Sequence, residues 1–282
     1  MRSPRVERLA RHRPQRKLEA DPRGEPGGVK SEDKEFLAAT ISSVDIIYIL
    51  RSSALRISVI IPTLNEATAL PATLSAVARM EGLAEVIVAD GGSEDATRSL
   101  AEPLARVVVA ARGRGQQQAA GAAVATGEVL WFLHADCCPA PEASAAIRQA
   151  LLDSRVAGGN FTLEFSGPSR AARTMTRVYP WLRCLGLCYG DSGIFVRRDL
   201  YEAVGGFRPM ALFEDIDLVR RLRRKGRFRR LPCRLRASAR RFEHGNFARV
   251  FAQWTGLQIL YWLGVSPSWL ARQYALVRER SS

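Results

Sequence analysis

The sequence predicts an α/β protein built on an open, mostly parallel sheet flanked by helices. Short apolar runs rich in Val and Ile recur at residues 57–62, 84–90, 107–110 and 129–133, with segments suited to helices between them. That spacing is the spacing of βαβ units, whose right-handed crossovers lay helices over both faces of a sheet. Acids stand at or just past the ends of two runs, Asp90 and Asp136. In such a sheet, ligands gather at the carboxyl ends of strands.

Residues 1–53 stand apart from this pattern. Arg2, Arg5, Arg8, Arg11, Arg13, Arg16 and Lys17 precede a Pro/Gly stretch at 22–28. Such a composition builds no core, so a disordered or loosely attached basic arm is expected. The main domain is expected over residues 54–245. Ile57-Ser58-Val59-Ile60-Ile61-Pro62 is β-branched and closed by a turn signal, as a buried parallel strand is. A helix should open at Asn65-Glu66 and run toward Met80. The second strand, 84–90, gives way to the turn Gly91-Gly92-Ser93 and a helix start at Glu94-Asp95. A third strand at 107–110, a helix at 116–125 and a fourth strand at 129–133 follow, leading into His134-Ala135-Asp136. Beyond Pro139 the pattern loosens to a helix at 143–152, strands within 159–165, an apolar segment at 179–189 and a helix at 215–225. Residues 246–282 read as an amphipathic helical extension packed on the domain, with its long helix over 247–262.

The chain has 282 residues, 42 Lys and Arg against 28 Asp and Glu, a formal charge of +14 and 47% apolar residues. That apolar share can bury a large core, which excludes a wholly disordered chain and a disulfide-dependent miniature fold. The five Cys form an odd set without zinc-finger spacing, so reduced thiols and a cytoplasmic location are expected. Cys184 and Cys188, four apart, read as buried structural thiols rather than a metal pair. No run approaches 18 uninterrupted apolar residues, so no membrane span is expected, and the basic N-terminus lacks the apolar stretch of a secretory signal.

Strand-end acids can hydrogen-bond a base or ribose, or hold a hard divalent cation. Either acid alone is ordinarily solvated; together, with the Gly91-Gly92-Ser93 turn and His134 close by, they point to a site. Gly113-Arg114-Gly115 invites a dinucleotide-fold reading, but Gln118 stands where a third small residue is needed.

The run from Ile57 to Glu66, followed by Asp90-Gly91-Gly92-Ser93-Glu94-Asp95, resembles the nucleotide-binding half of family 2 glycosyltransferases with the GT-A fold. His134-Ala135-Asp136 takes the place of that family's D-x-D metal motif. Gly190-Asp191-Ser192-Gly193 stands where an acceptor-side loop is expected, and Glu214-Asp215 matches the E-D pair. Within the family, Arg112-Gly113-Arg114-Gly115-Gln116, the H-A-D form, the G-D-S-G-I-F run and Arg240-Arg241-Phe242-Glu243 look most like a bacterial subgroup associated with arsenosugar biosynthesis. The resemblance covers residues 57–245.

It implies a nucleotide-sugar donor, with a UDP-sugar favoured, a hydroxyl acceptor, and Mg²⁺ or Mn²⁺ to stabilise the departing diphosphate. Asp90 would hydrogen-bond the base, with Pro62, Asn65, Glu66, Gly91 and Ser93 lining the same pocket. Arg112 and Arg114 would reach base, ribose or phosphate, and Arg240 and Arg241 the diphosphate. Asp136 and His134 would hold the metal across Ala135. The imidazole departs from the family pattern, because it can ligate Mn²⁺ but cannot supply a carboxylate's charge. Asp215 would be the general base of an inverting transfer, with Glu214 beside it, and Gly190, Asp191 and Ser192 would face the acceptor. Plainer readings stand beside these: solvated arginines, and helix-start acids favoured by the macrodipole at Glu66, Glu214 and Asp215.

Twelve Lys and Arg lie between Arg220 and Arg241. With only Phe228 and Phe242 interleaved, they make a weak nucleic-acid platform, and none is expected to be bound. A solvated face is the default. The Trp and Tyr of the 247–262 helix also suit a peripheral contact with the inner face of a membrane. The rival functions are a sugar nucleotidylyltransferase, whose Gly-rich signature loop is missing, and a non-catalytic basic nucleic-acid or membrane adaptor on a degenerate transferase fold. Oligomeric state is not legible.

Overall fold

The computed structural model describes residues 55–166, 173–174, 176–178, 192–238 and 247–279. The basic arm, the apolar segment at 179–189, Cys184, Cys188, Gly190, Asp191, Arg240 and Arg241 lie outside the described residues. β1 (Ile57–Thr63), β2 (Leu83–Asp90), β3 (Arg106–Val109) and β4 (Val129–Phe132) alternate with α1 (Leu70–Ala78), α2 (Thr97–Ala101) and α3 (Arg114–Val124). Then come β5 (Cys137–Pro139), α4 (Ala143–Leu151), β6 (Val156–Ser166), β7 (Ile194–Arg197), α5 (Arg198–Ala203), α6 (Glu214–Leu222), β8 (Arg227–Ser238), α7 (Phe247–Trp262) and α8 (Pro267–Glu279). Together the strands form an eight-stranded sheet of order β3-β2-β1-β4-β7-β6-β8-β5.

The first four strands are parallel, as expected. β7 enters antiparallel to both β4 and β6. β6 and β8 therefore run in the direction of β1, and β5 pairs antiparallel with the end of β8. Both faces are covered, which is why β1 and β4 read as continuous apolar runs. Side chains still alternate: Val59, Ile61 and Trp131 pack on one face with Phe161 and Phe195, while Ile60, Leu130 and Phe132 pack on the other with Tyr201 and Phe207. Rings interlock on each face, Trp131 with Phe161 at 5.4 Å and Phe132 edge-on to Phe207 at 4.8 Å.

Two helices start later than the sequence suggests. α1 begins at Leu70, with Pro71 in its first turn, because the residues before it form a loop bonded to the next turn. α2 begins at Thr97, because Asp95 is spent holding the backbone N–H of Thr97 at 2.9 Å. β8 lies inside the basic stripe, where no strand was expected. Its period-2 signal is present all the same: Leu231, Leu235 and Ala237 are buried and Cys233 half-buried, with exposed Arg230, Arg234 and Arg236 between. Among the described residues no helix is long and apolar enough to cross a membrane.

Candidate active site

The carboxyl ends of β1 and β2 lie in register, Thr63 opposite Asp90. Asp90 is wholly buried. One of its carboxylate oxygens accepts from the N–H of Gly92 and Ser93 at 3.0 and 2.9 Å, and the other from the Ser93 hydroxyl. The carboxylate thus shapes the Gly91-Gly92-Ser93 turn with charge-assisted bonds. The loop after β1 is latched onto that turn. Asn65, left-handed at φ 55°, donates its N–H to Ser93 Oγ at 2.9 Å, and its side-chain oxygen accepts from the N–H of Glu94 at 2.9 Å. The N–H of Glu66 donates to Thr97 Oγ1 at 2.8 Å, and that of Ala67 to Asp95 at 3.1 Å. Pro62 is buried in β1, while Asn65 is exposed beside Glu66.

Behind both strand ends stands Gln117 of α3. Its Nε2 donates to the carbonyls of Thr63 at 2.6 Å and Ala89 at 3.0 Å, tying the two ends together. Nothing singles this residue out in Gln116-Gln117-Gln118 except a helical register that points it at the sheet edge.

The segment after β4 is a tight turn into β5, with the N–H of Cys137 donating to the His134 carbonyl at 3.2 Å. Ala135 packs into the core, and its carbonyl accepts from Thr73 Oγ1 at 2.7 Å. The carbonyl of Asp136 accepts from the N–H of Ser238 at 3.2 Å, so β8 ends beside the turn. His134 is buried and Asp136 half-buried. Among the described residues no three His, Cys, Asp or Glu side chains gather as a self-sufficient metal centre. Asp136 offers the single carboxylate that a Mg²⁺ or Mn²⁺ completing its shell from phosphate can use, and the His134 imidazole could add a nitrogen better suited to Mn²⁺.

The first turns of α3 and α6 meet in a polar contact that reaches across 100 residues of sequence. Arg114 Nε lies 2.5 Å from Glu214 Oε1, with the carboxylate 3% and the guanidinium side chain 32% exposed. Gly115 permits the approach, since a Cβ there would lie 3.2 Å from the Glu214 side chain and 3.3 Å from the carbonyl of Arg208. Arg114, expected on the donor, thus has Glu214 as a partner, and Arg112 is exposed. The residue before α6, Phe213, is buried and left-handed at φ 65°, a conformation costing a bulky residue about 1–3 kcal/mol. Stacking on Tyr261 of α7, ring centroids 4.9 Å apart, holds it there. Asp215 is buried in the first turn of α6, and its carboxylate accepts from the N–H of Ile216 at 2.7 Å. Burial first, and then the charges of Asp217 and Asp215, push the Tyr261 hydroxyl above its usual pKa. Asp217 pairs with Arg221 at 2.8 Å, as its spacing suggests.

Residues 58–207 match the family described as Glycosyl transferase family 2. The chain belongs to that family. No curated protein matches it. Among solved structures it is similar to glucosyl-3-phosphoglycerate synthase from Mycobacterium tuberculosis, at 20% identity, in two complexes. One, with Mn²⁺, UDP and glucosyl-3-phosphoglycerate, gives a TM-score of 0.52 over 66% of this chain and 73% of that one. The other, with Mn²⁺, UDP-glucose and phosphoglyceric acid, gives 0.53 over the same shares. A further match, described only as a mycobacterial protein, gives 0.50 at 22% identity over 68% of this chain and 67% of the other. The mixed sheet flanked by helices is the GT-A fold of these neighbours.

Within this glycosyltransferase, the Gly190–Gly193 run is described only from Ser192, which is buried and accepts from Asn160 Nδ2 of β6 at 3.1 Å. The described part of the basic stripe does not gather at the loops after β1 and β2. Arg227 opens β8 opposite Val156, at the sheet edge remote from Asp90. There Arg155, Arg223, Lys225, Arg227 and Phe228 line an open hollow of about 700 Å³.

Proposed function

We propose that this family 2 glycosyltransferase moves a sugar from a nucleoside diphosphate donor, a UDP-sugar, to a hydroxyl acceptor with inversion at the anomeric carbon. The observation that carries the reading is the Arg114–Glu214 link, which draws the acid pair at the start of α6 to the edge formed by the latched loops after β1 and β2. The solved neighbours support a uridine donor, since their complexes contain UDP or UDP-glucose.

The base and ribose would rest on the Pro62, Asn65, Glu66 loop and on the Gly91 and Ser93 turn that Asp90 shapes. Arg112 would meet the donor from the α3 side, and Arg240 and Arg241, which follow β8, the diphosphate. Asp136 and His134 would hold Mg²⁺ or Mn²⁺ together with diphosphate oxygens, and the ion would supply Lewis-acid stabilisation of the leaving charge. Asp215 takes the proton of the acceptor hydroxyl as its oxygen bonds the anomeric carbon and the bond to the diphosphate breaks. Glu214 positions Asp215 by anchoring the helix start to Arg114. Gly190, Asp191 and Ser192 would orient the acceptor. The Arg112–Gln116 run and the G-D-S-G-I-F run support membership of the subgroup associated with arsenosugar biosynthesis.

Calorimetric titration of UDP, GDP, CDP and TDP, with and without Mn²⁺, tests the donor site. Metal-dependent preference for UDP, weakened in Asp136→Ala, is expected. Folded protein that binds none of the four would overturn the assignment.

A further inference from the structure

The α7–α8 hairpin is capped at its turn, and it carries an apolar patch outward. Gly264, at φ 89°, ends α7. Its N–H donates to the Tyr261 carbonyl and that of Val265 to the Leu260 carbonyl, both at 3.0 Å, the paired bonds of a Schellman stop. Two residues on, Ser266 caps α8 through the N–H of Trp269 at 3.3 Å, and Pro267 takes the first helical position. The inner face of the hairpin, Leu257, Tyr261 and Leu270, packs on Leu212 and Phe213. Its outer face leaves Ile259, Leu260, Trp262, Leu263 and Trp269 to solvent, with Leu263 75% and Trp262 49% exposed. Among the described residues the other exposed large apolar side chains, Leu100, Leu104, Val109 and Val178, lie in distant parts of the sequence.

Isolated exposed leucines need no explanation, but this concentration within one turn does. Two features choose the occupant. Residues 247–279 contain Arg249, Arg272 and Arg278 against Glu279 as the sole acid, in a chain of charge +14. Two such chains of like charge repel one another. An anionic surface attracts the same charge, and tryptophans beside leucines are the side chains that settle at a membrane interface.

We propose that the α7–α8 turn docks on a bilayer surface carrying anionic phospholipid, with Trp262 and Leu263 inserted at the headgroup boundary. Phe213 sits between the hairpin and Glu214-Asp215, so docking holds the start of α6 close to the bilayer. Resting on the reading of Asp215 as the base, this makes the acceptor a hydroxyl compound that partitions to the membrane surface.

The test is co-sedimentation of the full chain with vesicles of phosphatidylcholine alone, or of phosphatidylcholine with a minority of phosphatidylglycerol, at low and high salt. The comparison variant carries Trp262→Ser and Leu263→Asp, both solvent-facing changes. Wild type should bind the anionic vesicles, more weakly at high salt, and the variant should lose roughly tenfold or more in partitioning. Three results would each overturn the proposal: no binding of wild type to either vesicle, equal binding by the variant, or a wild-type dimer that the variant converts to monomer. Equal binding would assign the contact to the basic stripe, and the dimer result would assign the patch to a second copy. UDP titration of the same samples reports the donor site separately, so failure of docking and failure of the donor reading are distinguishable.

Discussion

At the ends of β1 and β2, Asn65, Ser93, Asp95 and Thr97 bond one loop to the other across only 28 to 31 residues of sequence. At the start of α6, Glu214 and the residue before it are held from far away in the chain. Arg114 reaches Glu214 across 100 residues, and Tyr261 holds Phe213 from α7. The donor-side loops are therefore a local construction, completed when one βα repeat meets the next. The acid pair is set by tertiary structure, including a strained backbone that survives only because its surroundings impose it. Damage to the second region should remove turnover while leaving nucleotide binding intact, and damage to the first should weaken nucleotide binding and lower turnover through it, least at saturating donor.

The largest effect should follow Asp215→Asn. Loss of a general base lowers turnover by about 10²–10⁴-fold, whereas UDP affinity should stay near wild type because no donor-side bond is touched. Turnover and calorimetric titration on one preparation check both halves. A matching fall in UDP affinity would merge the two regions and refute the division.

Arg114→Met removes the partner of a buried carboxylate. Stranding a fully buried charge costs about 3–5 kcal/mol, but this pair is partly open on the arginine side, so about 1–3 kcal/mol is expected. Urea unfolding measures it, and adding Glu214→Gln should restore part of the loss by discharging the stranded group. Turnover should fall with UDP affinity little changed. A large loss of UDP affinity would return Arg114 to the donor role that its sequence position first suggests.

The same contrast explains what could be read from the sequence. β1 to β4 were legible because a buried parallel strand is written locally, in β-branched runs that stop at turns, and the chemistry stands at their ends. β8 was hidden because its buried alternation, Leu231, Cys233, Leu235 and Ala237, is threaded with arginine and interrupted by Pro232. Glu214-Asp215 was legible as a motif but not as a partner of Arg114, since nothing local announces a contact across 100 residues. Gln117 was missed for a different reason: a glutamine inside a helix is ordinary until the sheet beside it turns two carbonyls toward it.

Gln117→Ala puts that omission to use. It withdraws one donor from each of the Thr63 and Ala89 carbonyls, of which Thr63 keeps the N–H of Gly91 at 2.9 Å, at a cost of about 1 kcal/mol. Because those carbonyls mark the ends of β1 and β2, the loops beyond should loosen and UDP affinity should fall several-fold. Unchanged UDP affinity in a destabilised variant would confine Gln117 to the fold.

The smallest effect should come from Glu85, which braces the opposite end of β2. Its carboxylate accepts from Ser58 Oγ at 2.9 Å and from both the N–H and the hydroxyl of Thr126 at 2.6 Å. Burial works to raise its pKa, but the Thr126 and Ser58 bonds and the charge of Arg106 prevail and hold it below the ordinary 4.5. A carboxylate lowered in this way stabilises the fold above the unfolded value and ceases to do so as pH falls through the lowered one. Glu85→Gln should therefore cost about 0.5 kcal/mol at pH 7 after allowance for solvent screening, and the gap from wild type should close as the pH drops below 4.5. UDP affinity should not move, because Glu85 pairs with Ser58 at the amino end of the strands, away from the latched loops. A gap that widened in acid would mean that the carboxylate is held above its ordinary value, with burial outweighing its three donors.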